Sequence, residues 1–428
     1  MIKEDIIDIL EAVIDDEKYS NIEINYKFNH NKYTREQKNF IKNIVSVVLK
    51  NLIYLDYILD KFTKHISKRR IRHLLRLSLT QIIFTKADNK GVVYEANEIA
   101  KNINEYQAKF VNSTLKKIIV KLPELNKEIE DNKLWDKKYS YPKDIFQKIK
   151  IDYEQEYLEI LKALKKRTYL SIRLNQDLVN VDEFCLANKD EILFRVDSVI
   201  YLKSNKCLEK LQENEYFIQD AASYLVAKNV NAKKEDVVLD ACSSPGGKAL
   251  CIMNIQKPKK LIATDIYEHK IDLLNSVKEK YGFENMKVEL KDATKANNFE
   301  KEMFDKILLD VPCSGLGVLK RKPEKLYRVK LADIKALKKI QKKIVEMNLP
   351  YLKIGGELIY STCTITKNEN TNNIKYILEK YPFLEVCPLE IPKQIHYIKD
   401  EIGGIYLDYR NEFLDNFYII KLRKKNGN

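Results

Sequence analysis

DVVLDACSSPGGK, residues Asp236 to Lys248, is a short apolar run that reaches an acidic residue and passes into a loop with two adjacent glycines. Four similar runs follow: KLIATD (Lys260–Asp265), MKVELKD (Met286–Asp292), FDKILLDVP (Phe304–Pro312) and GGELIYSTC (Gly355–Cys363). Segments of helical periodicity lie between them, notably Glu268–Tyr281 and Leu331–Leu352. Short apolar strands alternating with helices imply βαβ units and a parallel sheet covered on both faces. The fold class read from this half is α/β: a Rossmann-like, mostly parallel, doubly wound sheet.

Working outward, residues 144–215 read as a linker helix, from about Asp144 to Lys165, and a small α+β module. Its strand-like runs are LSIRLN (Leu170–Asn175), ILFRVD (Ile192–Asp197) and VIYLK (Val199–Lys203). Residues 1–135 read as an all-helical domain. Ile71, Leu74, Leu75, Leu79, Ile82 and Ile83 recur at helical spacing, while Lys68, Arg69, Arg72, His73 and Arg76 fall largely on the other face. Val92, Val93, Ala96, Ile99 and Ala100 mark a second helix, and Phe110–Val120 continues the pattern. The Lys-rich tract Asn132–Lys143 reads as a linker. The catalytic-type domain is expected over 216–425.

A chain of 428 residues exceeds what one hydrophobic core organises, so several domains are expected. The net charge of +14 favours a polyanionic partner. Seven cysteines without a Cys-x-x-Cys pair, and five scattered histidines, argue against a disulfide framework or a zinc site, so no metal is expected. Reduced thiols suit a cytoplasmic protein. Acidic residues interrupt the N-terminal MIKEDIIDILEAVIDDEK, so no secretory leader is expected. No segment approaches the ~20 apolar residues of a membrane span, and no membrane partner is expected.

In an open α/β sheet, ligands bind beyond the carboxyl ends of the strands. After the first run, Gly246 and Gly247 let the backbone approach a ligand closely, and the loop opens a helix whose N–H groups can face it. The pattern is neither a G-x-G-x-x-G fingerprint nor a P-loop. Asp265 ends the second run about 20 residues on, where a carboxylate suits ribose hydroxyls. Asp292 ends the third, where a carboxylate could accept from an adenine amino group. The set favours a nucleoside cofactor.

The fourth and fifth runs end in Asp310-Val-Pro-Cys313 and in Thr362-Cys363. These strands should be neighbours, so both cysteines face one cleft. A thiolate added to carbon 6 of a cytosine turns carbon 5 into an enamine-like nucleophile toward a methyl sulfonium. A thiol of pKa near ~8.5 must be deprotonated or have that value lowered for the purpose. Asp310 could hydrogen-bond the ring nitrogen or exocyclic amine. The second cysteine could assist elimination. The residues alone do not rank the two thiols.

DACSSPGGK (Asp240–Lys248), ATDIYEHK (Ala263–Lys270), LLDVPCSGLGV (Leu308–Val318) and IYSTCT (Ile359–Thr364) resemble the Sun/Fmu-type RNA cytosine-5 methyltransferases, the ribosomal small-subunit methyltransferase B family. IRHLLRLSLTQIIF (Ile71–Phe84), GVVYEANEIA (Gly91–Ala100) and FVNSTLKKI (Phe110–Ile118) resemble its NusB-like RNA-binding domain. EYFIQDAASYLVA (Glu215–Ala227) resembles the segment ahead of its first catalytic strand.

The resemblance implies that S-adenosyl-L-methionine is the cofactor. Cys242, Ser243, Ser244, Pro245, Gly246, Gly247 and Lys248 would form its loop. Asp265 would bind the ribose, Asp292 would lie by the adenine, and Asp310 would sit between cofactor and base. It implies Cys363 as nucleophile and Cys313 as the residue aiding release, although Pro312-Cys313 also resembles the nucleophile motif of DNA cytosine methyltransferases. The implied substrate is small-subunit ribosomal RNA, for a monomeric enzyme.

Departures from the family pattern are Ser243-Ser244 for Ala-Ala, Ala249 for Thr, Lys270 for Arg, and Asp415-Asn416-Phe417-Tyr418 for Asp-Gly-Phe-Phe. The stretch KPEKLYRVK after Arg321 lacks the usual tryptophan. None touches the cysteines or the three aspartates.

Two basic patches could grip RNA phosphates: Arg69, Arg72 and Arg76, and, closer to the cysteine loop, Gly317, Lys320, Arg321 and Lys322. The second is preferred. Two other readings compete with the enzyme: a non-catalytic RNA-binding or ribosome-assembly factor on this scaffold, and a DNA cytosine methyltransferase.

Overall fold

The computed structural model describes residues 2–66 and 68–426. The chain divides into two compact units, residues 1–155 with 322–328, and residues 156–321 with 329–428.

The first unit is helical. Helices Ile2–Ile14, Ser20–His30, Arg35–Lys50, Leu52–Phe62, Arg69–Phe84, Asn89–Lys101 and Glu105–Asp131 surround one apolar core, in which Leu10, Val45, Leu55, Leu75, Leu79, Val111 and Leu115 are fully buried. Local sequence sets the helix starts. Thr34 and Gln37 close a reciprocal capping box, Asp88 accepts from the Gly91 N–H, and Asn104 accepts from the Gln107 N–H.

The basic face expected on Arg69–Phe84 is not a solvent face. The helix is central, and His73 and Arg76 are buried with it. Carboxylates compensate them: Arg76 and Arg72 both bind Asp56, Arg72 also reaches Asp60, and His73 meets Asp15. Of the expected phosphate-binding arginines, only Arg69 is exposed.

The Lys-rich tract is likewise not a linker. Tyr141 is fully buried, and the Ser140 hydroxyl accepts from the Ile53 N–H at 2.7 Å, capping the helix Leu52–Phe62. The excursion 322–328 completes this corner: Tyr327 donates to the Leu49 carbonyl, Arg328 donates to the Val13 and Lys18 carbonyls, and Leu326 is buried. The single helix expected from 144 to 165 is two, Lys143–Tyr153 and Tyr157–Ala163, broken at Glu154 with φ 32°.

The second unit holds two sheets. Strands β1 (Leu170–Leu174), β2 (Ile192–Val196), β3 (Val199–Leu202) and β4 (Tyr216–Ile218) form an antiparallel sheet of order β2-β3-β1-β4. This module runs past residue 215, because Ile218 pairs with Ile172. The larger sheet contains β5 (Val237–Asp240), β6 (Lys260–Asp265), β7 (Met286–Leu290), β8 (Phe304–Asp310), β9 (Leu352–Thr362), β10 (Leu384–Cys387), β11 (Tyr397–Lys399), β12 (Ile405–Leu407) and β13 (Tyr418–Lys424). Its order is β11-β12-β13-β9-β8-β5-β6-β7, with β10 on β13. Strands β9 to β7 in that order are parallel; β13 joins β9 antiparallel.

Apolar residues on both faces of β5, β8 and β9 explain their continuous hydrophobic runs: Val238, Leu308 and Ile359 enter one core, Leu239, Ile307 and Leu358 the other. The helix Leu331–Asn348 stops before Pro350, which cannot supply the next backbone donor, and a 3-10 turn leads into β9. From β5 the chain winds outward through β6 and β7, then returns to β8 and β9. The order therefore reverses between β5 and β8, and the crevice beyond those two strand ends is where this architecture binds ligands.

Candidate active site

The loop after β5 turns at Gly246, whose φ of 99° is left-handed. A side chain there would also meet Leu274 Cδ2 at 2.8 Å, so glycine is required twice over. Gly247 then opens the helix Gly247–Ile255. The loop amides are not all turned toward a ligand, as the sequence suggested. Ser243 N–H donates to the Thr264 carbonyl, Ser244 N–H to Asp265, and Gly246 N–H back to the Ser243 carbonyl. Cys242 belongs to this loop, and burial pushes its thiol well above the usual range, with the carboxylates of Asp240, Asp310 and Asp265 adding to the effect.

Asp265 sits at the tip of β6 and pairs with Lys270 at 3.4 Å. Asp292, after β7, accepts from the Thr294 hydroxyl and N–H and lies 3.3 Å from Lys295. These contacts, the Thr294 hydroxyl first, hold its carboxyl below the ordinary value.

Asp240 ends β5 beneath the loop and is 1 % exposed. Neither carboxylate oxygen makes a well-formed hydrogen bond within the protein, although the Ser243 hydroxyl and the Cys242 N–H lie close enough to draw its carboxyl down. Burial pushes this carboxyl up to about 7; Lys248 pulls it down and Asp310 pushes it up. A buried carboxylate without well-formed hydrogen bonds is costly unless a bound group supplies the donors. A strand-tip carboxylate at a glycine turn, with Asp265 and Asp292 at the next two tips, therefore fits a cationic nucleoside ligand.

The reaction centre lies between β8 and β9. Asp310 ends β8, and its carboxylate is held from two sides: Lys248 Nζ lies 2.5 Å from Oδ2, and Ser361 Oγ donates to Oδ1 at 2.7 Å. Burial works against the Lys248 charge, but Asp310 outweighs it and holds the ammonium above its usual value; Cys363 is near enough to add to the pull. The family resemblance implies Lys248 as a member of the cofactor loop, and its ammonium reaches Asp310.

Cys313 follows β8 and Cys363 follows β9, with their sulfurs 3.3 Å apart. The adjacency expected of the two strand tips is thus present, since Asp310 is paired with Ser361 in the parallel register. Gly317 closes the turn: its N–H donates to the Cys363 carbonyl at 2.9 Å, and its own carbonyl accepts from Asn416 N–H at 3.1 Å. A Cβ at 317 would lie 1.9 Å from the Asn416 carbonyl oxygen.

Two of the three cations of the preferred RNA patch are structural, and Lys322 is exposed. Lys320 is 2 % exposed and donates to the carbonyls of Asn411, Glu412 and Leu414. Arg321 is ion-paired with Asp220 and Asp415. Their partners lie about a hundred residues away in sequence, which is why a basic run looked solvent-facing. Ser361, Asp240 and Glu369, a buried carboxylate described below, escaped the sequence reading. Only Asp240 carried a signal, as the acid that ends the first apolar run.

Sheet order, glycine turn and paired thiols define a class: α/β methyltransferases that carry two cysteines in the active cleft, here with a separate helical unit. The family description "16S rRNA methyltransferase RsmB/F" matches residues 227–423, and "NusB family" matches residues 2–120. A probable ribosomal RNA small subunit methyltransferase B of Bacillus subtilis is 31% identical over 97% of this chain and 98% of that protein. Ribosomal RNA small subunit methyltransferase B of Escherichia coli K12 is 25% identical over 92% of each. The chain belongs to the ribosomal RNA small subunit methyltransferase B family. Among solved structures, PH0851 matches with a TM-score of 0.80 at 23% identity over 99% of both chains. NSun6 from Pyrococcus horikoshii with SFG matches with a TM-score of 0.57 at 19% identity, over 67% of this chain and 99% of that one. Among the described residues no helix is long and apolar enough to cross a membrane.

Proposed function

We propose that this chain transfers a methyl group from S-adenosyl-L-methionine to carbon 5 of a cytosine in small-subunit ribosomal RNA, through a bond from Cys363 to carbon 6. The observation that carries the reading is the pair of thiols at neighbouring strand tips, beside the Lys248–Asp310 pair and one strand from the glycine loop. Substrate and cofactor are those suggested by the family. SFG bound to NSun6 agrees with a nucleoside pocket in this fold.

Bound at the loop of residues 242–248, with Asp265 toward the ribose and Asp292 toward the adenine, the cofactor would supply an electrophilic methyl on a sulfonium. The chain's residues do the rest. Cys363 gives up its proton to solvent and adds as thiolate to carbon 6; the Lys248 ammonium favours that anion. Asp310, kept in place by Lys248 and Ser361, accepts a hydrogen bond from the exocyclic amine of the base and orients it, while the Lys248 ammonium beside it offsets the negative charge moved onto the ring. Carbon 5, now electron-rich, takes the methyl. Cys313, as thiolate, then takes the carbon 5 proton; the electron pair of that bond re-forms the ring double bond and expels the Cys363 sulfur as thiolate. The ranking of the two thiols follows the family resemblance.

The base must be unstacked to reach this cleft, at a cost of a few kcal/mol. We assign residues 1–155 to RNA binding, 156–218 to a connecting module and 219–425 to catalysis, in a monomeric cytoplasmic enzyme. Bisulfite sequencing of ribosomal RNA from cells with and without the protein tests the proposal. One cytosine should lose protection when the protein is absent. Unchanged protection throughout would refute it, and methylation of matched single-stranded DNA in preference to RNA would redirect it to DNA.

A further inference from the structure

The two thiols stand on separate loops, and their spacing must be enforced by something other than the sheet. The structure contains such a device outside the site already described. Glu369 is fully buried. Its Oε1 accepts from the Ser314 N–H at 2.8 Å and from Gln341 Nε2 at 3.1 Å. Its Oε2 accepts from the hydroxyls of Ser314 and Thr366, both at 2.6 Å. The Ser314 hydroxyl also meets that of Thr364 at 2.7 Å. Ser314 directly follows Cys313, and Thr364 directly follows Cys363. One carboxylate therefore ties the first loop to the second and both to the helix Leu331–Asn348, where Gln341 is itself fixed by the Pro312 carbonyl and by Asn373.

Burying a carboxylate is expensive unless its acceptor sites are filled. A carboxylate offers about four such sites, and each Glu369 oxygen takes two donors. No neutral side chain accepts four bonds at one point. A backbone N–H and an anchored amide converge on Oε1, so the group there must be an acceptor.

We propose that Glu369 is a positioning residue of methyl transfer: it sets the separation and aim of Cys313 and Cys363 while touching neither RNA nor cofactor. This rests on the reading that those two thiols perform the chemistry.

The test combines kinetics with a geometric readout independent of activity. Diamide takes up the two thiol hydrogens and leaves a disulfide, so its rate of joining Cys313 to Cys363 in the full chain reports their spacing. For Glu369→Ala, kcat should fall ~100-fold, the cost of misplacing a reacting group by about 1 Å. Its KM for S-adenosyl-L-methionine should stay within about threefold, because cofactor contacts are untouched. Cross-linking should slow at least about tenfold. Glu369→Gln should restore both rates to within about threefold of wild type, since its oxygen can keep the Oε1 bonds and the hydroxyls can turn to accept from its amide. A folded Glu369→Ala with kcat within about twofold of wild type and undiminished cross-linking would overturn the proposal. If that variant does not fold, Glu369→Asp serves: one methylene shorter, it should show both defects, and wild-type behaviour would be equally fatal. Activity of Cys363→Ala would instead defeat the thiol mechanism itself, with the cross-linking comparison of the Glu369 variants unaffected.

Discussion

The sulfur of Cys313 lies 3.3 Å from the sulfur of Cys363, although fifty residues separate them in the chain. Two thiols in contact at one cleft can divide attack and release between them. Cys363→Ala should abolish methyl transfer while equilibrium binding of the cofactor is retained. Cys313→Ala should accumulate a protein–RNA species that survives a denaturing gel. A fully active Cys363→Ala protein refutes the assignment, and the absence of any adduct removes the release role from Cys313.

Lys248 bears on the reacting groups from two sides, pairing with Asp310 and lying near enough to Cys363 to feel its charge. Lys248→Met should lower kcat by roughly 100-fold, the scale of losing one preorganised charge. It should also move the pH midpoint for alkylation of Cys363 upward, because removing a nearby cation disfavours the thiolate. Alkylation profiles of wild type and variant measured from pH 6 to 10 decide it; superimposable curves would mean the lysine is only a partner for Asp310.

Asp240 gives the protein a pH dependence of known sign. Its folded value of about 7 stands above the unfolded value near 3.8. The folded state therefore holds this proton more tightly. Its contribution is complete below the unfolded value and is lost as pH rises through about 7. Between pH 5 and 8, wild type should lose on the order of 2 kcal/mol relative to Asp240→Asn, which does not ionise. Urea unfolding of both proteins across that range measures the difference. Parallel stability curves would show that Asp240 stays ionised in the fold.

Arg321 separates a structural role from an RNA-binding one. Arg321→Ala leaves Asp220 and Asp415, both buried, without their cation, so the folded state should lose about 3–5 kcal/mol. RNA affinity of the fraction that remains folded should hardly change, and the salt dependence of binding should keep its slope. A stable variant with weakened, less salt-sensitive RNA binding would restore the phosphate-gripping role.

Much of the second unit was legible in the sequence because parallel strands covered on both faces leave uninterrupted apolar runs. The helix Glu268–Tyr281 and the strand tips bearing Asp265, Asp310 and Cys363 stand where periodicity put them. What escaped is what depends on distant partners. Nothing local distinguishes Lys320, which lies under the carbonyls of residues 411–414, from a solvated lysine. Nothing local separates Arg76, neutralised by Asp56, from an exposed helix arginine. Glu369 lies in a polar stretch, and its chief partner Ser314 is 55 residues away. Tyr141 sits among lysines that disguise a buried segment as a tether.

The excursion of residues 322–328 into the helical unit limits how this protein can be dissected. A fragment starting near residue 156 would keep those seven residues while losing the Leu49 carbonyl and the Ser140 hydroxyl that meet Tyr327, and the Val13 and Lys18 carbonyls that hold Arg328. Such a piece exposes apolar surface and stray donors that the intact chain conceals. A faithful minimal enzyme would need residues 322–328 redesigned as well as the front removed; plain truncation yields a protein prone to clump, whose inactivity would say little about RNA recognition.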